Sequence, residues 1–344
     1  MTKLRGFALS LILACGISSA GAADYYTGKT IALITGYGAG GGYSAYSQLV
    51  AKYLGRHIPG HPAVIAQNMP GGGSIVAVNY VYNAAKPDGL TIASVNMFNM
   101  YSDYMLKKSD VRYELPRMPF VGNLRTGNAV FLMRADRYPT LDSLKQATQP
   151  IHLGSATKGD GHYLFGLAMG KGLGIDFQYV IGYSDGGGEI DLALDRGELD
   201  GRFANLNSYL LSKPDWIKNG FVKILAQGGI EKGGSLARDP RIADVPTMDE
   251  LFPGNQMVQQ LTDFGSLGDL LSGVYIAPPK TPPDLLALLR KGFIETLDDP
   301  DFRADAAKFN LEITPMGPEE VENIVDRALK VSPDVLKMVG DLTQ

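Results

Sequence analysis

Two glycine-rich loops carry the residues best suited to ligand-binding chemistry. The first spans residues 36–44 and reads GYGAGGGYS, between an apolar run and a series of apolar residues at helical spacing. Glycines let the backbone approach a ligand, and the first N–H groups of a helix have no partner inside it and carry the positive end of its dipole. The loop is therefore predicted to bind an oxyanion. A tight glycine turn without a ligand is the alternative.

A second loop of the same type spans residues 154–161 and reads GSATKGDG, again between an apolar run and a helical pattern. Ser155 and Thr157 add hydroxyl donors to the backbone amides, and Lys158 adds a positive charge. A third segment, YSDGGG at residues 183–188, is predicted to contribute to the rim. Two anion-directed loops in separate parts of the chain predict a ligand site in a cleft between two lobes.

The first loop also has the spacing of a dinucleotide-binding fingerprint, with glycines at 36, 38 and 41. Such a site needs an acidic residue at the end of the next strand for the ribose hydroxyl. Residues 66–68 read AQN instead, and no Asp or Glu occurs between Asp24 and Asp88. A nucleotide-binding oxidoreductase is therefore disfavoured, and the acid-free segment would tolerate an anion.

The sequence contains none of the catalytic motifs considered below. There is no Gly-x-Ser-x-Gly elbow, and no glycine run is followed by Lys-Ser or Lys-Thr. His57 and His61 have i,i+4 spacing, but the Pro-Gly pair between them opposes a helix that would align both rings on a metal. Asp191, Asp195 and Glu198 have the spacing of a solvated helix face. We expect no enzyme activity, no cofactor and no metal.

The apolar pattern predicts two α/β units in tandem, each a parallel sheet covered by helices, followed by a proline-rich turn and a helical tail. A chain of 344 residues exceeds what one core usually organises, so two lobes are expected. The predicted strands lie near 30–35, 64–66, 90–95, 151–154, 177–181 and 222–226, and helices lie near 75–85, 163–169 and 189–194.

The N-terminus has the features of a secretory signal. Lys3 and Arg5 precede an apolar stretch, residues 7–14, that is too short to span a bilayer, and small residues follow as far as Ala23. The segment ending at Cys15 also resembles a lipoprotein-processing site, so lipid anchoring at Cys15 stays open. Since Cys15 is the only cysteine, the mature protein has neither a disulfide nor a thiolate metal site available.

The charge balance argues against two classes of partner. The chain carries 32 Lys and Arg against 36 Asp and Glu, a formal net charge of −4. A net negative charge opposes sequence-independent binding to nucleic acid or to anionic lipid. Neither is expected as a partner.

Several short motifs, in their order along the chain, resemble the substrate-binding receptors of tripartite tricarboxylate transporters, the Bug receptors. The first glycine loop lies in the register of their Pro-Phe-x-Pro-Gly-Gly-x-x-Asp segment. The other similar segments are NMPGGG at 68–73, PDG at 87–89, GS at 154–155 with GH at 161–162, SDG at 184–186, DVPT at 244–247 and APPKTP at 277–282.

The resemblance implies a two-lobed periplasmic binding protein of type II, a Venus-flytrap fold in which each lobe is a mixed, mainly parallel sheet flanked by helices. It implies that loop amides grip a small carboxylate and that the receptor delivers it to the small and large membrane subunits of a transporter. A ligand sensor for a membrane signalling protein is not distinguished from this receptor. A periplasmic monomer is expected.

The sequence predicts where the lobes begin and end and which residues contact the ligand. The expected boundaries are a signal peptide over 1–22, a first part of lobe 1 over 23–124, lobe 2 over 125–262, and a return to lobe 1 with C-terminal helices over 263–344. The candidate ligand-contacting residues are Tyr37, Ala39, Gly40, Gly41, Gly42, Tyr43, Ser44, Asn96, Ser155, Ala156, Thr157, Tyr183, Asp185, Gly186 and Asn205.

The chain departs from the family pattern at positions that bear on the ligand. Tyr43 and Ser44 stand in place of Thr-Asp, Met69 replaces Arg, and Asp185 replaces a frequent Lys. A ligand other than a tricarboxylate is therefore expected, and the tyrosines of the loops favour one with an apolar or aromatic body.

We predict that Asp185→Asn improves the binding of citrate relative to that of an aromatic monocarboxylate. A carboxylate at the cleft rim repels a second negative group, because two unit charges about 4 Å apart interact by roughly 4 kcal/mol at an effective dielectric constant near 20. The alternative is that Asp185 points to solvent or caps a helix. Calorimetric titration of both proteins with both ligands decides: if citrate binds the wild type best and the substitution changes neither affinity, Asp185 does not select the ligand.

Overall fold

A computed structural model describes residues 25–183, 187–232, 235–309 and 311–343. The predicted signal peptide with Cys15, and the candidate site residues Asp185 and Gly186, lie outside the described residues. Within the described part of the chain, no helix has the length and apolar character needed to cross a membrane.

The strands and helices alternate as the sequence pattern predicts. The strands are β1 (Thr30–Thr35), β2 (Ala63–Asn68), β3 (Thr91–Val95), β4 (Phe120–Asn123), β5 (Ala129–Arg134), β6 (His152–Ser155), β7 (Gln178–Ile181), β8 (Gly201–Asn205), β9 (Val222–Gln227), β10 (Ile230–Lys232), β11 (Ser235–Ala237) and β12 (Val274–Ile276). The α-helices are α1 (Gly42–Leu54), α2 (Ile75–Asn83), α3 (Met97–Met105), α4 (Leu141–Lys145), α5 (Gly161–Leu173), α6 (Gly188–Asp195), α7 (Leu206–Ser212), α8 (Asp215–Lys218), α9 (Met248–Leu251), α10 (Gln256–Leu270), α11 (Pro283–Asp298), α12 (Pro300–Lys308), α13 (Pro318–Ala328) and α14 (Pro333–Thr343).

Lobe 1 is built on a five-stranded sheet with the order β2-β1-β3-β12-β4. The strands β1, β2 and β3 are parallel, whereas β12 runs antiparallel to both of its neighbours. Ile31 and Leu33 of β1 share a buried cluster with Leu49 and Val50 of α1. The alternation of β1 and the helical spacing of α1 therefore meet in one apolar layer.

Lobe 2 repeats this topology, with the order β7-β6-β8-β5-β9. Here β6 is parallel to β7 and β8, and β5 runs antiparallel to β8 and β9. In each lobe, the antiparallel strand therefore belongs to a crossing segment that enters from the other lobe. The predicted two-lobed α/β fold with mixed sheets is confirmed.

Two crossing segments, residues 124–128 and 271–273, join the lobes and are hydrogen-bonded to each other and to the end of α10. The N–H of Leu124 donates to the carbonyl of Gly273 (2.9 Å), and the N–H of Gly127 donates to the carbonyl of Asp269 (2.6 Å). The side chain of Asn123 accepts from the N–H of Gly273 at 3.0 Å. These paired segments form the hinge between the lobes.

The lobes also meet across the cleft through residues without bulky side chains. A Cβ atom added to Gly42 at the start of α1 would lie 2.5 Å from the Oγ of Ser208 in lobe 2. A Cβ atom added to Gly161 would lie 3.1 Å from the Cγ of Phe98 on α3, and one added to Gly268 would lie 2.5 Å from the Cβ of Phe98. Glycine at these positions therefore permits the lobe separation seen here.

We predict that Gly42→Val holds the lobes apart, because its side chain would overlap Ser208. Small-angle scattering should give a larger radius of gyration for the variant than for the wild type, with unchanged circular dichroism. Ala39→Val, in the exposed part of the same loop, is the control and should scatter as the wild type does. If Gly42→Val scatters as the wild type does, the approach of α1 to Ser208 does not limit closure.

Candidate functional site

The cleft between the lobes encloses a cavity of about 60 Å³ that both lobes and the hinge line. Aromatic, amide, hydroxyl and charged side chains all reach it. The lining residues are Tyr37, Gly42, Tyr43, Asn96 and Phe98 of lobe 1, Arg125, Gly265, Gly268, Asp269 and Ser272 of the hinge and α10, and Asp160, Gly161, His162, Phe165, Arg202, Asn205 and Ser208 of lobe 2.

Arg125, in the first crossing segment, is the central charge of this cavity and is only 2% exposed. Its Nη1 donates to the Oδ1 of Asn205 (2.9 Å) and to the Oγ of Ser272 (3.0 Å), and its guanidinium lies 4.6 Å from the ring centre of Tyr46. In the described part of the chain, no carboxylate oxygen lies within 4.0 Å of its nitrogens. A buried charge without a counter-charge is costly, so the cavity favours an anion.

Asn205, beside Arg125, adds a buried donor that has no partner in the described part of the chain. Its Oδ1 accepts from the N–H groups of Asn207 and Ser208 at the start of α7 and from Arg125. Its Nδ2 is buried and has no hydrogen-bond partner among the described residues. A carboxylate between Arg125 and Asn205 would satisfy donors on both, and an unmade hydrogen bond of a buried group costs about 1–3 kcal/mol.

On the lobe 1 side, two stacked tyrosine rings and the start of α1 line the cavity. The rings of Tyr37 and Tyr43 are stacked with centres 4.6 Å apart, and the Nδ2 of Asn96 donates to the Oη of Tyr37 at 2.8 Å. Burial raises the pKa of Tyr37 well above its usual value and that of Tyr43 to about 12, so both hydroxyls stay protonated. The first N–H groups of a helix have no intrahelical partners, and Gly41, which precedes α1, provides no side-chain cap for them.

The second glycine loop is arranged differently from what the family resemblance implies. The Oδ1 of Asp160 accepts from the N–H groups of His162 (2.6 Å) and Tyr163 (3.2 Å), and its Oδ2 accepts from the Oγ of Ser155 (3.2 Å). The protein's own carboxylate therefore occupies the start of α5, as expected for Asp at an N-cap. Lobe 2 instead offers its side-chain donor from Asn205.

Arg202, a second arginine of the cavity, is balanced by a carboxylate of the protein. The Nη1 of Arg202 donates to the Oδ1 of Asp191 (2.9 Å), and Asp191 also accepts from the Oγ of Ser212. Asp191 is 3% exposed, so its prediction as part of a solvated helix face was wrong: an inward-facing arginine on the neighbouring strand fixes it. Burial lowers the pKa of His162 below its usual value, so this side chain is neutral near pH 7.

Five of the candidate residues line the cavity, namely Tyr37, Gly42, Tyr43, Asn96 and Asn205. The remaining described candidates lie around it or apart from it. Ala39 and Gly40 are exposed, Gly41 caps α1, Ser44 accepts from the side chain of Asn68, Ser155 contacts Asp160, Ala156 and Thr157 lie outside the lining, and Tyr183 packs on the lobe 2 core.

Sequence reasoning missed Arg125, Asp160, Arg202 and Asp269. Asp160 lies in the second glycine loop, where an anion and not a carboxylate of the protein was expected, and the other three belong to no predicted motif because they reach the cleft through tertiary structure. The one available signal concerned Arg125, which stands at the predicted boundary between the lobes, where a crossing segment has to pass the cleft. Within the described residues, no three His, Cys, Asp or Glu side chains are grouped so as to hold a metal ion.

Comparison with known proteins agrees with this architecture. The family model described as "Tripartite tricarboxylate transporter family receptor" matches residues 50–340. A curated relative, the UPF0065 protein in the gbd 5' region of Cupriavidus necator, is 24% identical over 337 residues, which cover 92% of this chain and 90% of the relative.

Solved structures share the fold over almost the whole chain. The periplasmic binding protein BugD superposes with a TM-score of 0.72 at 20% identity, covering 92% of this chain and 98% of BugD. MatC from Rhodopseudomonas palustris, solved with bound malate, superposes with a TM-score of 0.68 at 19% identity, covering 92% of this chain and 99% of MatC. Because the family model matches residues 50–340, which is most of this chain, the chain belongs to the tripartite tricarboxylate transporter receptor family.

Proposed function

We propose that this protein is an exported receptor that captures a small carboxylate in the cleft between its lobes and delivers it to the membrane subunits of a tripartite transporter. The observation that carries the proposal is Arg125, a buried cation in the cleft with no carboxylate within 4.0 Å among the described residues. A ligand carboxylate supplies the missing charge.

The carboxylate is bound by donors from three parts of the protein. Arg125 of the hinge provides a charged donor, and the unpartnered Nδ2 of Asn205 provides a neutral one from lobe 2. The start of α1, at Gly42, adds free N–H groups and the positive end of a helix dipole from lobe 1. Since charge-assisted hydrogen bonds are stronger than neutral ones, Arg125 provides the dominant contact.

Ligand binding is coupled to closure because these donors belong to different lobes. A ligand that contacts all of them at once interacts more favourably with the closed arrangement than with an open one, so it shifts the population towards closure. The closed shape is then what a membrane partner recognises. The malate bound to MatC, a protein of the same fold, supports a carboxylate as the ligand class.

We predict that Arg125→Gln weakens carboxylate binding by at least about 30-fold, because losing one partner of a buried charge pair costs roughly 2 kcal/mol or more. Isothermal titration calorimetry with a panel of mono- and dicarboxylates, and with the uncharged amide of each, measures the effect. The amides should not bind.

The control is Arg56→Gln, which removes a positive charge from a side chain that is 52% exposed and pairs with Asp301 outside the cleft. This variant should bind as the wild type does. The proposal fails if no carboxylate binds the wild type, or if Arg125→Gln binds its ligand with undiminished affinity.

A further inference from the structure

Asp269, near the end of α10, is a carboxyl group without a basic partner at the same cavity as Arg125. Its Oδ2 accepts the N–H of Ala129 at 3.2 Å. No Lys, Arg or His nitrogen of the described residues lies within 4.0 Å of its oxygens. The cavity therefore contains an uncompensated cation and an uncompensated acid that do not pair with each other.

The other charged groups near Asp269 have their own partners. On the cleft side, Arg202 pairs with Asp191, Asp160 caps α5, and His162 is neutral because burial lowers its pKa. Asp160 also has no cation within 4.0 Å among the described residues, but its side chain accepts three hydrogen bonds, whereas that of Asp269 accepts one. Arg125 and Asp269 are therefore the two charged groups that a ligand would complete.

A larger cavity of about 1060 Å³ lies on the other side of Asp269 and is also charged. Arg241 there is held by Asp239 (2.5 Å) and by Glu312 (2.7 Å). Asp249, Asp263 and Arg327 line it as well, and burial raises the pKa of both aspartates. Neither arginine of this cavity lies within 4.0 Å of Asp269, so no cation on this side takes the place of a ligand.

We infer that the ligand of this receptor is an amino acid, whose carboxylate is bound by Arg125 and whose ammonium group is bound by Asp269. This inference rests on the proposed function and specifies its ligand class. A zwitterion supplies both missing charges at once, whereas a second carboxylate would be repelled by Asp269. The small enclosed volume, about 60 Å³, suits the compact head group that all amino acids share.

The protonation of Asp269 predicts how the affinity for an amino acid changes with pH. Burial raises the pKa of Asp269 to about 7, although the N–H of Ala129 and the charge of Arg125 lower it and the charge of Asp160 raises it further. Below pH 7 the carboxyl is mostly neutral and offers little to an ammonium group; above pH 7 it is ionised. Amino acid affinity should therefore rise roughly tenfold from pH 6 to pH 8, since the ionised fraction rises by about that factor.

The test compares each standard amino acid with its deaminated analogue, for example alanine with propionate or leucine with 4-methylpentanoate, by calorimetry at pH 6 and pH 8. The tightest amino acid should bind at least about tenfold better than its analogue at pH 8. The analogue should show the opposite pH trend, because ionised Asp269 repels a bare carboxylate.

Asp269→Asn should remove the preference for the amino acid and flatten both pH profiles while carboxylate binding remains. The matched control is Asp263→Asn, on the same helix but in the lining of the larger cavity alone, which should keep the wild-type profiles. Binding of deaminated acids that equals or exceeds that of amino acids at pH 8 overturns this inference alone. Absence of binding by both classes overturns it together with the proposed function.

Discussion

The uncompensated charge of Arg125 is the constraint on which the rest of the site depends. Folding places this guanidinium in the hinge, almost fully buried, and gives it only neutral partners and a tyrosine ring. Burying a charge without a counter-charge carries a large unfavourable desolvation free energy. An anionic ligand bound beside this guanidinium would offset that cost.

The position of Arg125 also links ligand charge to lobe movement. It lies in one crossing segment, donates to Ser272 in the other, donates to Asn205 in lobe 2, and lies over Tyr46 of lobe 1. A ligand that pairs with this one side chain therefore acts on both lobes and on the hinge. Glycines at 42, 161 and 268 leave the space that lets the lobes approach.

Much of the fold was predictable because it follows from local pattern. The alternation of β1, the helical spacing of α1 and the glycine loop between them identify a strand-loop-helix unit, and its repetition predicts two lobes. The site was predictable only in part. Tyr37, Gly42 and Tyr43 were found through their loop, whereas Arg125 and Asp269 come from segments that carry no motif. Their presence at one cavity depends on how the first crossing segment packs against the end of α10, which is distant in the sequence. Asp191 is buried where it faces Arg202, a contact between a helix and a strand that the helical spacing does not reveal.

The most direct measurement is the free energy of unfolding of Arg125→Met, by urea denaturation with and without a bound ligand. If Arg125 serves the ligand, then replacing it with an apolar side chain of similar length leaves the ligand-free protein at least as stable as the wild type. The same variant should lose the stabilisation that ligand gives the wild type. A variant that is several kcal/mol less stable without ligand, yet is stabilised by ligand as much as the wild type, would contradict the account.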